Sequence, residues 1–139
     1  MVQTVITEQA LRDDGWRERA SQGFSALVGP IWSRREGAVW AYGVLTGDQH
    51  ANPMGLVHGG LIATLMDQTV SIAAWEALSR ESCVTVQLDM HCLAAARPGQ
   101  FLEARARVLR AAKSLVFVQG EISSGETLIS SGQAVMKRV

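Results

Sequence analysis

Cysteine is scarce in this chain of 139 residues. Only Cys83 and Cys92 occur, too few for a disulfide framework and without the paired spacing of a zinc site. On one extended strand they would lie ~30 Å apart at about 3.3 Å per residue, out of reach of each other. An excess of charge of either sign is also lacking. Thirteen basic and thirteen acidic residues give a formal net charge of zero, so no overall field draws in nucleic acid or an anionic membrane. No clean apolar run crosses a bilayer, because the longest, residues 59–78, contains Asp67, Gln68 and Glu76. The first 24 residues are charged early and have no apolar signal core. Phosphate loops, dinucleotide turns and His/Cys/Asp/Glu clusters with metal-ligand spacing are missing too. The expectation is a soluble, cytoplasmic chain in a reducing compartment, with no metal, resident cofactor, nucleic-acid partner or membrane.

What is present is globular: 47% of residues are apolar and 19% charged. The length suits one domain over residues 1–139, able to bury roughly 68–70% of its unfolded surface. Thr7–Ala20 reads as a short surface helix capped by Thr7 and interrupted at Gly15. Ala26–Arg35 and Ala38–Thr46 read as strands, and Gly47–Val57 as a loop. His58–Ser79 is the single long helical segment, apolar nearly all round and so expected to be buried on most sides. Cys83–Leu93 alternates, with Val84, Val86, Leu88, Met90 and Cys92 on one face and Thr85, Gln87, Asp89 and His91 on the other. Phe101–Ala111, Leu115–Ser123 and Thr127–Lys137 complete the strands. One buried helix among about six strands implies α+β, an antiparallel sheet wrapped around the helix.

Asp67 stands about midway along that helix, where an unpaired carboxylate costs several kcal/mol or neutralises. Its neighbours at helical spacing, Gly60, Ala63, Thr64, Val70, Ser71 and Ala74, form a narrow stripe of small residues. Such a stripe admits a ligand, another backbone or a second subunit. A bond to Thr64, Ser71 or a loop amide would satisfy the acid with no function attached. Val57-His58-Gly59-Gly60 sets two glycines at the helix start, where N–H groups lack intrahelical partners and the dipole favours negative charge. A donor at the helix mouth and a carboxylate downstream on one element suit acyl transfer.

Asn52-Pro53-Met54-Gly55-Leu56-Val57-His58-Gly59-Gly60, followed by Leu65-Met66-Asp67, resembles the signature of hotdog-fold acyl-CoA thioesterases of the phenylacetyl-CoA thioesterase-like (PaaI-type) family. The resemblance covers roughly residues 25–138. It implies a hotdog fold of five to six strands around one central helix, and hydrolysis of an acyl- or aryl-CoA thioester to the acid and free coenzyme A. It implies a homodimer or dimer of dimers with active sites at the subunit interface, coenzyme A being part of the substrate rather than a cofactor. By the same resemblance Asp67 is the nucleophile or general base, and the Gly59 N–H polarises the thioester carbonyl. Asn52 orients thioester or water, His58 positions the loop, and Thr85 holds the attacking water. Alternation sets Thr85 on the face away from the helix, so either the strand bends near its start or a subunit seam brings that face to the site.

Other candidates are weaker. His50 and His91 read as structural or solvated, and Asp89 with His91 as a surface or interface pair. Arg110 and Lys113, near strand ends, are candidates for the coenzyme A phosphates, although basic residues there are ordinary solubility devices. The four tryptophans read as packing, with Trp75 able to border a tunnel. Two rival functions share the fold. A hotdog enoyl-CoA hydratase would need Asp and His acting together on the acyl chain. A non-catalytic acyl-CoA-binding module would need no acid at Asp67.

Overall fold

The computed structural model describes residues 5–139. Its longest helix, α3 (Gly59–Ala77), carries four alanines, good helix formers, and is closed at both ends. His58 caps its start, and a double backbone return ends it, Ser79 N–H donating to Glu76 O and Arg80 N–H to Trp75 O. Ahead of it come α1 (Glu8–Asp13), β1 (Arg17–Arg19), α2 (Phe24–Val28), β2 (Ile31–Glu36) and β3 (Val39–Leu45). After it come β4 (Cys83–Cys92), β5 (Phe101–Ala111), β6 (Leu115–Ser124) and β7 (Thr127–Arg138). The strands form one sheet in the order β1-β2-β3-β5-β6-β7-β4, antiparallel throughout. This is α+β: one long helix cradled by a single antiparallel sheet. Among the described residues no helix is long and apolar enough to cross a membrane.

Leu65, Met66, Val70 and Ala74 of α3 are buried against Leu102, Val116, Val118, Ile122 and Met136 of the sheet. At Gly120 helix and sheet approach closely; a methyl group there would fall on Met66 Sδ and Val70 Cγ1. The opposite face of β2, β3 and β5 carries a second cluster, in which Leu11 and Trp16 cover Trp32, Ala41 and Phe101. Alternation along β2 and β3 sends Ile31 and Tyr42 to the first cluster and Trp32 and Ala41 to the second.

Several expectations need correction. The N-terminal helix stops at Asp13, because Gly15 turns the chain at φ +89, and Arg17–Arg19 then pairs with β2 as a seventh strand. Residues 26–28, expected in a strand, close the short helix α2; Pro30, which has no N–H for a ladder, separates it from β2. The largest correction is in β4. Thr85 pairs with Met136 and Gln87 with Val135, leaving Val86 as an extra residue. This bulge switches the faces. Cys83, Leu88 and Met90 pack toward the helix, whereas Val84 and Val86 are exposed.

Beside the second cluster, Glu36 receives two hydrogen bonds from Arg105 (2.7 and 2.9 Å) and one from Arg34 (2.7 Å). Chiefly through the Arg105 hydrogen bonds, opposed by burial and reinforced by Arg34, its carboxyl is held down at about 2. A depressed carboxylate contributes stability above its ordinary value of 4.5, and that contribution is lost as pH falls through the folded value. Glu36→Gln is therefore expected to cost about 1–2 kcal/mol at pH 7, discounted for solvent screening. The gap to wild type should close near pH 2 in urea unfolding; an equal gap at both pH values would refute the assignment.

Candidate active site

The helix mouth is built by His58. Its Nδ1 accepts the Gly60 N–H at 2.8 Å, and its carbonyl accepts the Leu61 N–H at 3.0 Å. Among the described residues nothing accepts the Gly59 N–H, and a Cβ at Gly59 would meet no atom within 4 Å. A Cβ at Gly60 would instead lie 2.9 Å from His58 Nδ1. The two glycines thus do different work. Gly60 makes room for the cap, and Gly59 presents a bare donor to open space. His58 was expected to position the loop; its ring caps the helix, while its backbone N–H ties to His50 O at 2.8 Å.

The loop before the helix is held from within. Asn52 Oδ1 accepts from the Met54 and Leu56 N–H groups at 3.0 and 3.1 Å, and the Asn52 N–H donates to Leu56 O at 2.7 Å. Two N–H donors fix the amide orientation, leaving Nδ2 as the free end. Asn52 and Gly59 line one hollow of 240 Å³, together with Ile62 and the backbone around Cys92–Ala96. His50, read from the sequence as structural or solvated, is buried and anchors this loop. Its Nδ1 accepts from Gly47 N–H at 3.0 Å, and Nε2 faces Val28 O at 2.6 Å. Accepting at Nδ1 leaves the proton on Nε2. Nothing in the spacing of His50 announces this role, because Val28 lies 22 residues away.

Asp67 is half-buried, on a face of α3 more open than an all-round apolar helix suggests. Its Oδ1 accepts from Thr85 Oγ1 at 2.7 Å. The β4 bulge makes this contact possible by turning Thr85 toward the helix ahead of the extra residue. Strand bending, one of the two solutions open from sequence, is therefore the one the chain adopts. Gly59 and Asp67 are eight residues apart, a rise of ~12 Å along the helix. One chain therefore gathers Asn52, His58 and Gly59 at the mouth and Asp67 with Thr85 at mid-helix, but does not join the two groups. Arg110 and Lys113, exposed at the β5–β6 hairpin end, make no side-chain hydrogen bond or ion pair to either group.

Residues 54–130 match the family model described as the thioesterase superfamily. A Pseudomonas aeruginosa protein named "Putative esterase PA0474" is 34% identical over 113 residues, 78% of this chain and 83% of that protein. Mouse acyl-coenzyme A thioesterase 13 is 30% identical over 88 residues, 62% of this chain and 63% of that protein; the match thus spans less than two thirds of the mouse chain. The structure of the Bacillus halodurans protein BH2602 with CoA superposes with a TM-score of 0.79 at 24% identity, covering 94% of this chain and 85% of that one. The helix-in-sheet architecture is that of the hotdog thioesterases. The chain belongs to the thioesterase superfamily.

The unequal glycines can be separated by their effect on stability. Gly59→Ala meets open space and should leave stability unchanged or raise it by up to about 1 kcal/mol, the helix-propensity difference. Gly60→Ala pushes the His58 ring off its cap and should lower stability by about 1 kcal/mol. Thermal melts of the two variants check the sign of each.

Proposed function

We propose that this protein is an acyl-CoA thioesterase acting as a homodimer, each site combining Asp67 and Thr85 of one subunit with the Asn52–Gly59 mouth of the other. The carrying observation is the ~12 Å rise between an unpartnered donor and a carboxylate on one rigid helix. A single thioester carbonyl cannot lie within about 3 Å of both groups in one chain. The surface beside Asp67 favours a second copy. β4 is a ten-residue edge strand, with Val84 and Val86 exposed at 48% and 58%. Such an edge is ordinarily covered.

In this reading the Gly59 N–H, reinforced by the helix dipole, takes up charge developing on the thioester oxygen. The free Nδ2 of Asn52 holds the thioester at the mouth, and Thr85 steers water beside Asp67. The carboxylate has two routes: it removes a proton from water as the oxygen attacks the carbonyl carbon, or it attacks that carbon itself and is released by water. In either route the C–S bond breaks, the sulfur leaves as thiolate and takes a proton, and the products are a carboxylic acid and free coenzyme A. In single turnover in ¹⁸O water, label in Asp67 marks the second route, arising when water releases the anhydride by attack at the Asp67 carboxyl carbon. Arg110 and Lys113 are proposed partners for the coenzyme A phosphates.

The test is thiol release from aryl and fatty acyl-CoAs. Asp67→Asn should lower kcat by about 10²–10⁴. Gly59→Pro is a cleaner probe of the donor, since proline suits the first helical position and removes only the N–H; His58 at ψ 135 already has the backbone a following proline requires. It should lower kcat by about 10²–10³. No turnover in the wild type, or full turnover in Asp67→Asn, sinks the reading. Loss of crotonyl-CoA absorbance without thiol would indicate hydration instead.

The shared site has its own test. Asp67→Asn and Gly59→Pro chains, each inactive alone, are mixed from the unfolded state and refolded. Random pairing puts half the dimers in mixed form with one intact site of two, so about a quarter of wild-type activity should return. A site within one subunit predicts no recovery.

A further inference from the structure

On the flank of α3 away from Asp67 lies a cavity of 390 Å³ that the hydrolysis reading does not use. Thr69, Ile72 and Ala73 of the helix form one wall, and Trp40, Tyr42 and Val108 of the sheet the other. At 3.6 residues per turn, Thr69, Ala73 and Glu76 lie on the side of the helix roughly opposite Asp67. The cavity shares Trp40 and Glu76 with an adjoining hollow of 480 Å³, which is also lined by Arg35 and Arg80. The rim is cationic. The Arg19 guanidinium sits 6.0 Å from the Trp40 ring and 5.7 Å from the Tyr42 ring, and Arg35 lies 5.7 Å from Trp40.

Of the eight arginines outside this rim, half are ion-paired. Arg12, Arg34, Arg105 and Arg138 are ion-paired with carboxylates. Among the described residues Arg19, Arg35 and Arg80 have no such partner. Arg19 reaches only Ser33 Oγ at 3.5 Å and Arg35 only Gly37 O. Glu76 is the one carboxylate lining either hollow. Apolar walls below a rim of three guanidiniums and one acid are complementary to a molecule with an apolar tail and an anionic, planar head. A guanidinium fork matches a carboxylate in two hydrogen bonds, and the volume is that of a small-ligand pocket.

We propose that this cavity binds a free carboxylic acid with an alkyl or arylalkyl tail, the tail between Ile72, Ala73 and Trp40 and the carboxylate at Arg19 and Arg35. The site is separate from the Asp67 site and requires no reaction, so it stands or falls independently of hydrolysis.

The experiment is calorimetric titration of the whole protein with decanoate, decan-1-ol and decyltrimethylammonium below their aggregation concentrations. Decanoate should bind once per chain, with decan-1-ol at least about tenfold weaker and the cation weaker still. The double variant R19Q/R35Q, altered only at exposed side chains, should bring decanoate down to the level of decan-1-ol. Ala73→Phe should abolish binding of both by filling the cavity; if that variant fails to fold, R19Q/R35Q decides. Asp67→Asn should leave decanoate affinity unchanged. Equal binding of decanoate and decan-1-ol, wild-type affinity in R19Q/R35Q, or no decanoate binding overturns the proposal. So does a change of affinity in either direction in Asp67→Asn, a gain above all, because a carboxylate beside Asp67 is relieved of like-charge repulsion and the ligand would then occupy the thioester site. Absence of thioester hydrolysis leaves it intact.

Discussion

Eight residues of rigid helix between the Gly59 amide and the Asp67 carboxylate constrain everything else this chain can do. A helix packed along its length against a sheet does not shorten, and α3 is packed from Leu61 to Leu78. Donor and acid therefore keep their ~12 Å rise whatever the side chains do. Each end is prepared separately. At the mouth, His58 consumes the Gly60 N–H and leaves that of Gly59 bare. At mid-helix, Thr85 satisfies one carboxylate oxygen and leaves the other open. In the proposed reading each group is half of an acyl-transfer site, and the small residues between them leave room for a partner surface.

The long helix was legible because its apolar content and paired glycines fall on one element, and those signals are local. The last three strands were legible for the same reason, with alternation and turn residues agreeing. What could not be read depended on partners distant in the chain. Arg17–Arg19 has no strand-like composition and is a strand only because β2 offers an edge. Val84, Val86, Leu88 and Met90 alternate without a break, yet pairing with β7 inserts an extra residue at Val86 and divides them between two faces. The carboxamide of Asn52 could be located in the loop but not oriented, because its oxygen answers to two backbone amides that exist only once the turn has closed. The structural role of His50 could be expected but not its partner, because that is the carbonyl of Val28, which no spacing connects to it.

Zero net charge conceals an uneven distribution. On the outer face, Glu36 gathers Arg34 and Arg105 into a network that also takes in Asp14 and Glu103, and the Arg34 guanidinium lies over Trp16 at 4.7 Å. That network and the Trp16–Phe101 contact fasten the N-terminal segment to the back of the sheet. On the concave side, Arg19 and Arg35 stand over aromatic rings and, among the described residues, make no ion pair. Composition reports the sum of these regions. Only the fold separates paired from unpaired charge, and the unpaired charge is what a ligand can use.

The bulge at Val86 joins the chemistry to the surface. Without the extra residue, β4 would keep one alternation throughout, and Leu88 and Met90 could face the helix only if Val84 and Val86 did so too. Thr85 would then point away from Asp67, and the exposed side of the edge strand would be polar. With it, Thr85 reaches the carboxylate while Val84 and Val86 turn outward beside the same half-open helix face. A single inserted residue thus completes the acid's hydrogen bond and makes the adjoining edge apolar. A long apolar edge is costly to leave in water, and in the proposed reading a second copy of the chain relieves that cost while bringing its own Gly59 donor to Asp67.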